Sequence, residues 1–338
     1  MDNFFKKNKT IIFCQANADL LYVIYLISKY KNVVVYVINV KGIYEFLVSL
    51  KIKNIEIRFI PYFKFSYYNP KSIYKTRKSL DELWKKEFSK YKNCNVFFFS
   101  TSYDWLTASC VKRLSLENKV TYYNHYDHLT SSLGNISFSI KRELKKLIFL
   151  FIAKTDFLTK TETNFPKFNY SKYNIVRYEV TKKPVPNKDY LYNVQEGNSK
   201  KALFLIDPFE LKNLENSSNF FLISLVENLK RKNISVFLKG HPRLGEPEIF
   251  KSIVNYIIPN HIPSEFLNYN CFDFVFGLTS ASLCYPAQKQ FCNVYSLTNI
   301  VNFKDPLLKN QLKDYINEYS GNKIIFDLKR MNFLKISF

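Results

Sequence analysis

The chain has 338 residues, 47% of them hydrophobic and 17% aromatic, and its 50 Lys and Arg against 28 Asp and Glu give a formal charge of +22. That length is more than one compact core needs and suits two domains, and 25 Tyr with 32 Phe exclude a disordered chain. The positive charge calls for an acidic partner: nucleic acid, an anionic bilayer, or a phosphorylated or carboxylated small molecule.

In chain order, strand-like apolar runs alternate with helical stretches. "TIIFC" precedes the helix "NADLLYVIYLISKY", "NVVVYVINV" precedes "IYEFLVSLK", and "IEIRFI" precedes the charged helix "SIYKTRKSLDELWKKEFSKYK". "NVFFFS", the helix "YDWLTASCVKRLSL" and the strand "KVTYYN" follow. Continuous Val, Ile and Phe strands between amphipathic helices imply a parallel sheet covered on both faces. Residues 181–200, rich in Pro, Asn and Lys, read as a linker.

A second series begins with "KALFLID", "NFFLISLVENLKRK" and "ISVFLK", continues through "IVNYII", "SEFLNY" and "FDFVFG", and ends with "SASLCYPAQK", "FCNVYSL" and a helix near "PLLKNQLKDYINEY". The expected organisation is an N-terminal domain over 1–180, a linker over 181–200 and a C-terminal domain over 201–338. The expected fold class is α/β of the GT-B kind, two Rossmann-like domains facing a central cleft, with ligands beyond the carboxyl ends of the strands.

Six scattered cysteines, with no C-x-x-C pair, read as free thiols in a reducing compartment. The opening "MDNFFKKNKTIIFC" lacks the apolar core of a signal peptide and "LIFLFIA" is too short to span a bilayer, so a cytoplasmic location is expected. The tail "NKIIFDLKRMNFLKISF" interleaves basic and apolar residues. It reads either as an interfacial helix resting on an anionic inner-membrane surface or as a closing helix packed on the first domain.

The chemistry concentrates in the second half. Lys239, Gly240, His241, Pro242 and Arg243 follow a strand directly, where α/β folds place ligand groups. Gly240 permits close backbone approach, Pro242 fixes the turn, and three basic side chains suit a phosphate. His241 can contact a phosphate oxygen and assist a leaving phosphate. Glu265 lies in the first turn of a short helix opened by Pro263, where a carboxylate can hold both ribose hydroxyls or simply complement the helix dipole. "FDFVFGLTSASLCYP" is a buried strand, a Gly turn, then Thr279, Ser280 and Ser282 at a helix start, positions that suit an anion or a plain N-cap.

This order of strand, His-Pro, Pro-x-Glu helix, strand, Gly and hydroxyl pair resembles the bacterial sialyltransferases of GT-B fold. It is most similar to the lipooligosaccharide sialyltransferases of glycosyltransferase family 52 and to the capsular polysialyltransferases. The resemblance covers about 202–296 and only loosely the first domain, where Gln15 matches a Gln common near the end of the opening strand. It implies that His241 with Pro242 contacts the CMP phosphate and acts as the acid, that Glu265 holds the cytidine ribose, and that Thr279 with Ser280 grips phosphate.

The family's acidic turn supplies a base. Here Asp127 stands in "HYDHLTSSLG", with Tyr126 and His128 where Asp and Gly would be, and His125 or His128 available to orient it. Asp104 and Asp19 are rivals for the role, and His125, Asp127 and His128 also permit a metal cluster that lacks further ligands.

The expected activity is an inverting, metal-independent transfer of sialic acid from CMP-sialic acid to a lipid-borne cell-surface glycan, without a cofactor. The partners are the nucleotide-sugar donor, the glycan acceptor and an anionic membrane reached through the basic tail. CMP-Kdo, another nonulosonic acid or a CDP-polyol are alternative donors. An inactive GT-B scaffold and a non-catalytic nucleic-acid-binding protein are the readings of another class. No nucleic-acid partner is expected, because the aromatics sit in strand-like runs and no binding motif is visible.

Overall fold

The computed structural model describes residues 9–61, 69–99, 105–124, 147–148, 150–154, 175–180, 184–194, 197–242 and 244–327. The chain divides into two compact units, Met1–Pro186 and Asn187–Phe338.

In the first unit the strands are β1 (Thr10–Cys14), β2 (Val33–Ile38), β3 (Ile55–Ile60), β4 (Asn95–Phe99), β5 (Lys119–Asn124) and β6 (Ile175–Glu179). They lie in the order β3-β2-β1-β4-β5-β6 with every pairing parallel. β1 and β2 are buried along their whole length, which is why their sequences run apolar without alternation. Ile11, Phe13, Val34, Tyr36, Val96 and Phe98 pack on one face against Leu80, Phe88, Leu106 and Val111 of the helices Pro70–Leu83, with its π-turn Trp84–Phe88, and Trp105–Leu114. Alternation sends Phe97 and Phe99 to the other face. There Tyr22 of the helix Leu20–Lys29 meets Phe99 and Tyr30 meets Phe97, with ring centroids 6.2 and 5.2 Å apart.

The second unit has β7 (Lys201–Leu205), β8 (Ser235–Lys239), β9 (Tyr256–Ile257), β10 (Phe274–Gly277) and β11 (Asn293–Ser296). Their order is β11-β10-β7-β8-β9, again all parallel. The helix Asn216–Arg231 buries Leu222, Leu225, Val226 and Leu229 against Ala202, Phe204, Val236, Leu238 and Phe276, at roughly 1.5–3 kcal/mol for each large side chain. Numbered within each unit, both sheets start 3-2-1-4-5, the Rossmann winding, so the protein consists of two Rossmann-like α/β domains.

Three expectations need correction. β6 is a strand that the sequence reading passes over. It is an edge strand with Val176 and Tyr178 half-exposed, so it lacks the apolar run of a buried strand. The strand expected across "IVNYII" shrinks to Tyr256 and Ile257, both exposed at the edge of the second unit's sheet. The start of the basic tail is not helical: Ile325 pairs with Tyr295, its N–H donating to the Val294 carbonyl and its carbonyl accepting from Ser296 N–H. Residues 328–338 lie outside the described residues. Among the described residues, no helix is long and apolar enough to cross a membrane.

The segment after Asn187 belongs to the second unit by hydrogen bonding. Tyr192 N–H donates to Phe266 O at 2.7 Å, and Asn268 N–H donates back to Tyr192 O at 3.0 Å.

Candidate functional site

In each sheet the strand order reverses beside its first strand, and ligands of such folds bind beyond the carboxyl ends at that point. The reversal falls between β1 and β4 in the first domain and between β7 and β10 in the second.

At the first point Gln15 follows β1 directly, and its Nε2 donates to Thr107 Oγ1 on the helix after β4. Asp19 Oδ2 accepts the N–H groups of Gln15 (3.3 Å) and Ala16 (3.1 Å), closing the turn from β1 into its helix. Asp19 is fully buried, so it ties this turn and is not placed to take a proton from an incoming alcohol. Asp127, His125, His128 and Asp104 lie outside the described residues, as does Arg243.

In the second domain the site grows from the end of β8. The chain leaves Lys239 into a tight turn in which His241 N–H donates to Gly245 O (3.0 Å) and Gly245 N–H to His241 O (2.9 Å). A Cβ on Gly240 would come 2.6 Å from the Gly245 carbonyl carbon and 2.7 Å from Glu246 N. The close backbone approach that Gly240 permits is to the turn's own Gly245 and Glu246. Gly245 completes the turn at φ +77°.

Leu244 N–H donates to His241 Nδ1 at 3.3 Å. An accepting Nδ1 places the proton of the neutral ring on Nε2.

Lys239 is only 3% exposed, and its ammonium donates to Gly240 O (3.0 Å) and Asn260 O (3.3 Å). Burial pushes its pKa down to about 8, opposed by the negative fields of Glu246 and Glu265. Lys239 thus braces the His241 turn against the 259–261 loop from inside, where the sequence reading has it meeting phosphate.

Glu265 lies in the single 3-10 turn Ser264–Phe266 that follows Pro263, as the sequence implies. Its Oε2 accepts from Ser264 Oγ at 3.0 Å, and Ser264 Oγ in turn accepts from Ser282 Oγ at 3.0 Å. The hydroxyl chain joins the Glu265 turn to the turn after β10, and Lys239 ties the turn after β8 to the 259–261 loop. Tyr285 also feels Glu265: burial first, then that carboxylate, raises its phenol pKa. Asn260 Oδ1 and Tyr269 OH are buried without a hydrogen-bond partner among the described residues, the kind of place that water or a ligand hydroxyl fills.

The hydroxyl cluster after β10 separates into different tasks. Ser280 is the N-cap, its Oγ accepting Ser282 N–H at 3.3 Å. Thr279 gives both its N–H (2.7 Å) and its hydroxyl (2.9 Å) to Glu210 Oε1. Glu210 is absent from the sequence-based candidates, because "DPFE" reads as a helix start and forms one. Asp207 Oδ1 accepts Glu210 N–H at 2.8 Å and Glu210 Oε2 accepts Asp207 N–H at 3.2 Å. Burial, then the charge of Asp207, raises the Glu210 pKa to about 7.

Two surface hollows, of about 260 Å³ beside Tyr91 and Asn118 and about 390 Å³ beside Cys292 and Asn293, open at the amino ends of strands. They lie at the opposite sheet edge from His241 and Gln15. No group of three His, Cys, Asp or Glu suited to a metal gathers among the described residues.

No protein-family model matches the chain, and no curated protein matches it. Among solved structures the chain is similar to an S. aureus MnaA-UDP co-structure, with 10% identity, 97% of this chain and 98% of that one covered, and a TM-score of 0.44. A UDP-GlcNAc 2-epimerase from Methanocaldococcus jannaschii gives 12%, 94% of each chain and 0.44. The spinosyn rhamnosyltransferase SpnG gives 6%, 93% of this chain and 90% of that one, and 0.39. At these values the functional reading rests on the residues of this chain alone.

Proposed function

We propose that the protein is a GT-B glycosyltransferase that uses a CMP-activated acid sugar, CMP-sialic acid, and a cell-surface glycan carried on lipid. The observation that carries this reading is the gathering of His241, Lys239, Glu265 and Ser282 at the carboxyl edge of one parallel sheet, joined by the Lys239 brace and the Ser282–Ser264–Glu265 chain. A carboxylate and a ring N–H at such an edge can take a ribose and a phosphate.

In a single displacement the acceptor hydroxyl oxygen attacks the anomeric carbon while the bond from that carbon to the phosphate oxygen of CMP breaks, inverting the centre. Asp127, the base in this scheme, takes the hydroxyl proton. His241 donates its Nε2–H to the departing phosphate. CMP leaves as a stable anion and needs hydrogen bonds more than a full proton, which suits a histidine whose Nδ1 is already occupied by Leu244 N–H. Glu265 takes the ribose hydroxyls and Ser280 the phosphate. Gln15 is proposed for the acceptor and Arg243 for the donor phosphate, while Gly240 and Pro242 shape the turn that carries His241. The scheme needs neither metal nor cofactor, and the charge of +22 favours an anionic donor and an anionic membrane approached through residues beyond 327.

Incubation with CMP-sialic acid and a lactose-terminated acceptor, followed by mass spectrometry of the products, tests the reading. Parallel reactions with CMP-Kdo and CDP-glycerol separate the alternative donors.

A further inference from the structure

The donors that would grip a phosphate at the second domain's switch point are already occupied by a carboxylate of the protein. Thr279 presents a main-chain N–H and a hydroxyl, and both go to one oxygen of Glu210, at 2.7 and 2.9 Å. Glu210 is 7% exposed and fixed by its reciprocal bonds with Asp207, so it does not swing away as a surface carboxylate would. From the other side Ser296 Oγ on β11 donates to Leu278 O at 2.7 Å, holding the turn after β10 in place. An anion arriving at Thr279 therefore meets an internal competitor of the same charge.

We propose that Glu210 is a proton-linked gate on the anion site of the turn after β10: ionised, it keeps the two donors of Thr279, and protonated, it yields them to a bound phosphate. The inference rests on the reading of this edge as a phosphate site. An ionised carboxyl accepts three hydrogen bonds here, from Thr279 N–H, Thr279 Oγ–H and Asp207 N–H. A proton on either oxygen removes acceptor capacity and the charge that strengthens these bonds. A phosphate beside Glu210 in turn favours its neutral form, so binding takes up a proton. Asp207, on the carboxyl's own turn, is the ionisable neighbour whose field pushes in the same direction. The turn after β10 meets the carboxyl with Thr279, whose N–H and hydroxyl are uncharged. Burial already brings the Glu210 pKa to about 7, where ordinary changes of pH move its proton.

The test is calorimetric titration of the full chain with CMP between pH 6 and 8, in two buffers of different ionisation enthalpy, for the wild type and Glu210→Gln. The expected result is proton uptake on binding and a Kd that weakens about tenfold across that range in the wild type. Glu210→Gln, which carries no titrating proton at this position, takes up fewer protons and has a flatter profile, keeping only what the nucleotide phosphate and His241 contribute. Thr279→Val, which keeps Glu210, weakens CMP binding at pH 6 and keeps the test decisive if Glu210→Gln does not fold. Identical pH profiles in wild type and Glu210→Gln, or unchanged affinity at pH 6 in Thr279→Val, overturn the gate. If CMP binds at no pH, the nucleotide reading fails separately. Inorganic phosphate titrated in the same way into wild type and Glu210→Gln then decides the gate, which greater proton uptake in the wild type supports and equal uptake overturns.

Discussion

Glu210 and Thr279 meet across the point where the second sheet reverses its strand order, with one carboxylate oxygen accepting both the N–H and the hydroxyl of the threonine. The first domain has a counterpart in the bond from Gln15 to Thr107, again linking the end of the first strand to the helix beyond the reversal. In both domains a polar side chain bridges the two sides of the strand-order reversal.

The Glu210 carboxyl makes stability depend on pH. Its pKa rises from an ordinary 4.5 to about 7, so the folded protein binds its proton more tightly than the unfolded chain does. The associated stability is fully present below pH 4.5 and lost as pH rises through 7. The loss is on the order of 3 kcal/mol. Urea unfolding at pH 5 and pH 8 should show Glu210→Gln losing less stability than the wild type over that interval. Parallel losses in the two proteins would show that Glu210 is not the group responsible.

Gly240 has no room for a side chain, since a Cβ would press on the Gly245 carbonyl. Gly240→Ala should cost about 1–3 kcal/mol, as overpacking does. By opening the turn that carries His241, it should also weaken nucleotide binding. Calorimetry and denaturant unfolding measure the two effects, and an alanine variant with unchanged stability contradicts the packing described.

Lys239 is buried to hold two carbonyls, Gly240 O and Asn260 O. Lys239→Met keeps the aliphatic volume and leaves both acceptors unpaired, so a destabilisation of about 1–3 kcal/mol is expected at pH 7. The depressed pKa, about 8, has the opposite pH signature to Glu210. The charged form is disfavoured in the fold, so the wild type gains stability as pH rises from 8 toward the ordinary 10.5. Unfolding at pH 7.5 and 9.5 should show that gain in the wild type and not in Lys239→Met.

Most of the fold was legible because the strands of both parallel sheets are rich in Val, Ile, Phe and Tyr and alternate with amphipathic helices. β1, β3 and β5 match "TIIFC", "IEIRFI" and "KVTYYN" residue for residue, and the helix Pro306–Tyr319 matches "PLLKNQLKDYINEY". β6 was passed over because Val176, Arg177 and Tyr178 are exposed and break the apolar run, and β9 was expected too long, because only Tyr256 and Ile257 of "IVNYII" pair with β8. Of the candidate site, the sequence showed His241, Glu265 and Ser282 as candidates, and the structure joins Ser282 to Glu265 through Ser264. Glu210 was not among them, because its role depends on Thr279, 69 residues away, reached through the strand order that places β10 beside β7. Lys239 looked like a phosphate ligand because a sequence shows a charge but not the direction in which it is buried.

The central claim is that the carboxyl edge of the second sheet holds the nucleotide of a CMP-sugar whose departure His241 assists. It is tested most directly by measuring sialyl transfer from CMP-sialic acid together with CMP affinity, in the wild type, His241→Ala and Glu265→Ala. The account predicts that His241→Ala lowers turnover by about 10²–10⁴ and weakens CMP, while Glu265→Ala chiefly weakens CMP. Transfer and CMP binding that both survive His241→Ala unchanged would contradict it.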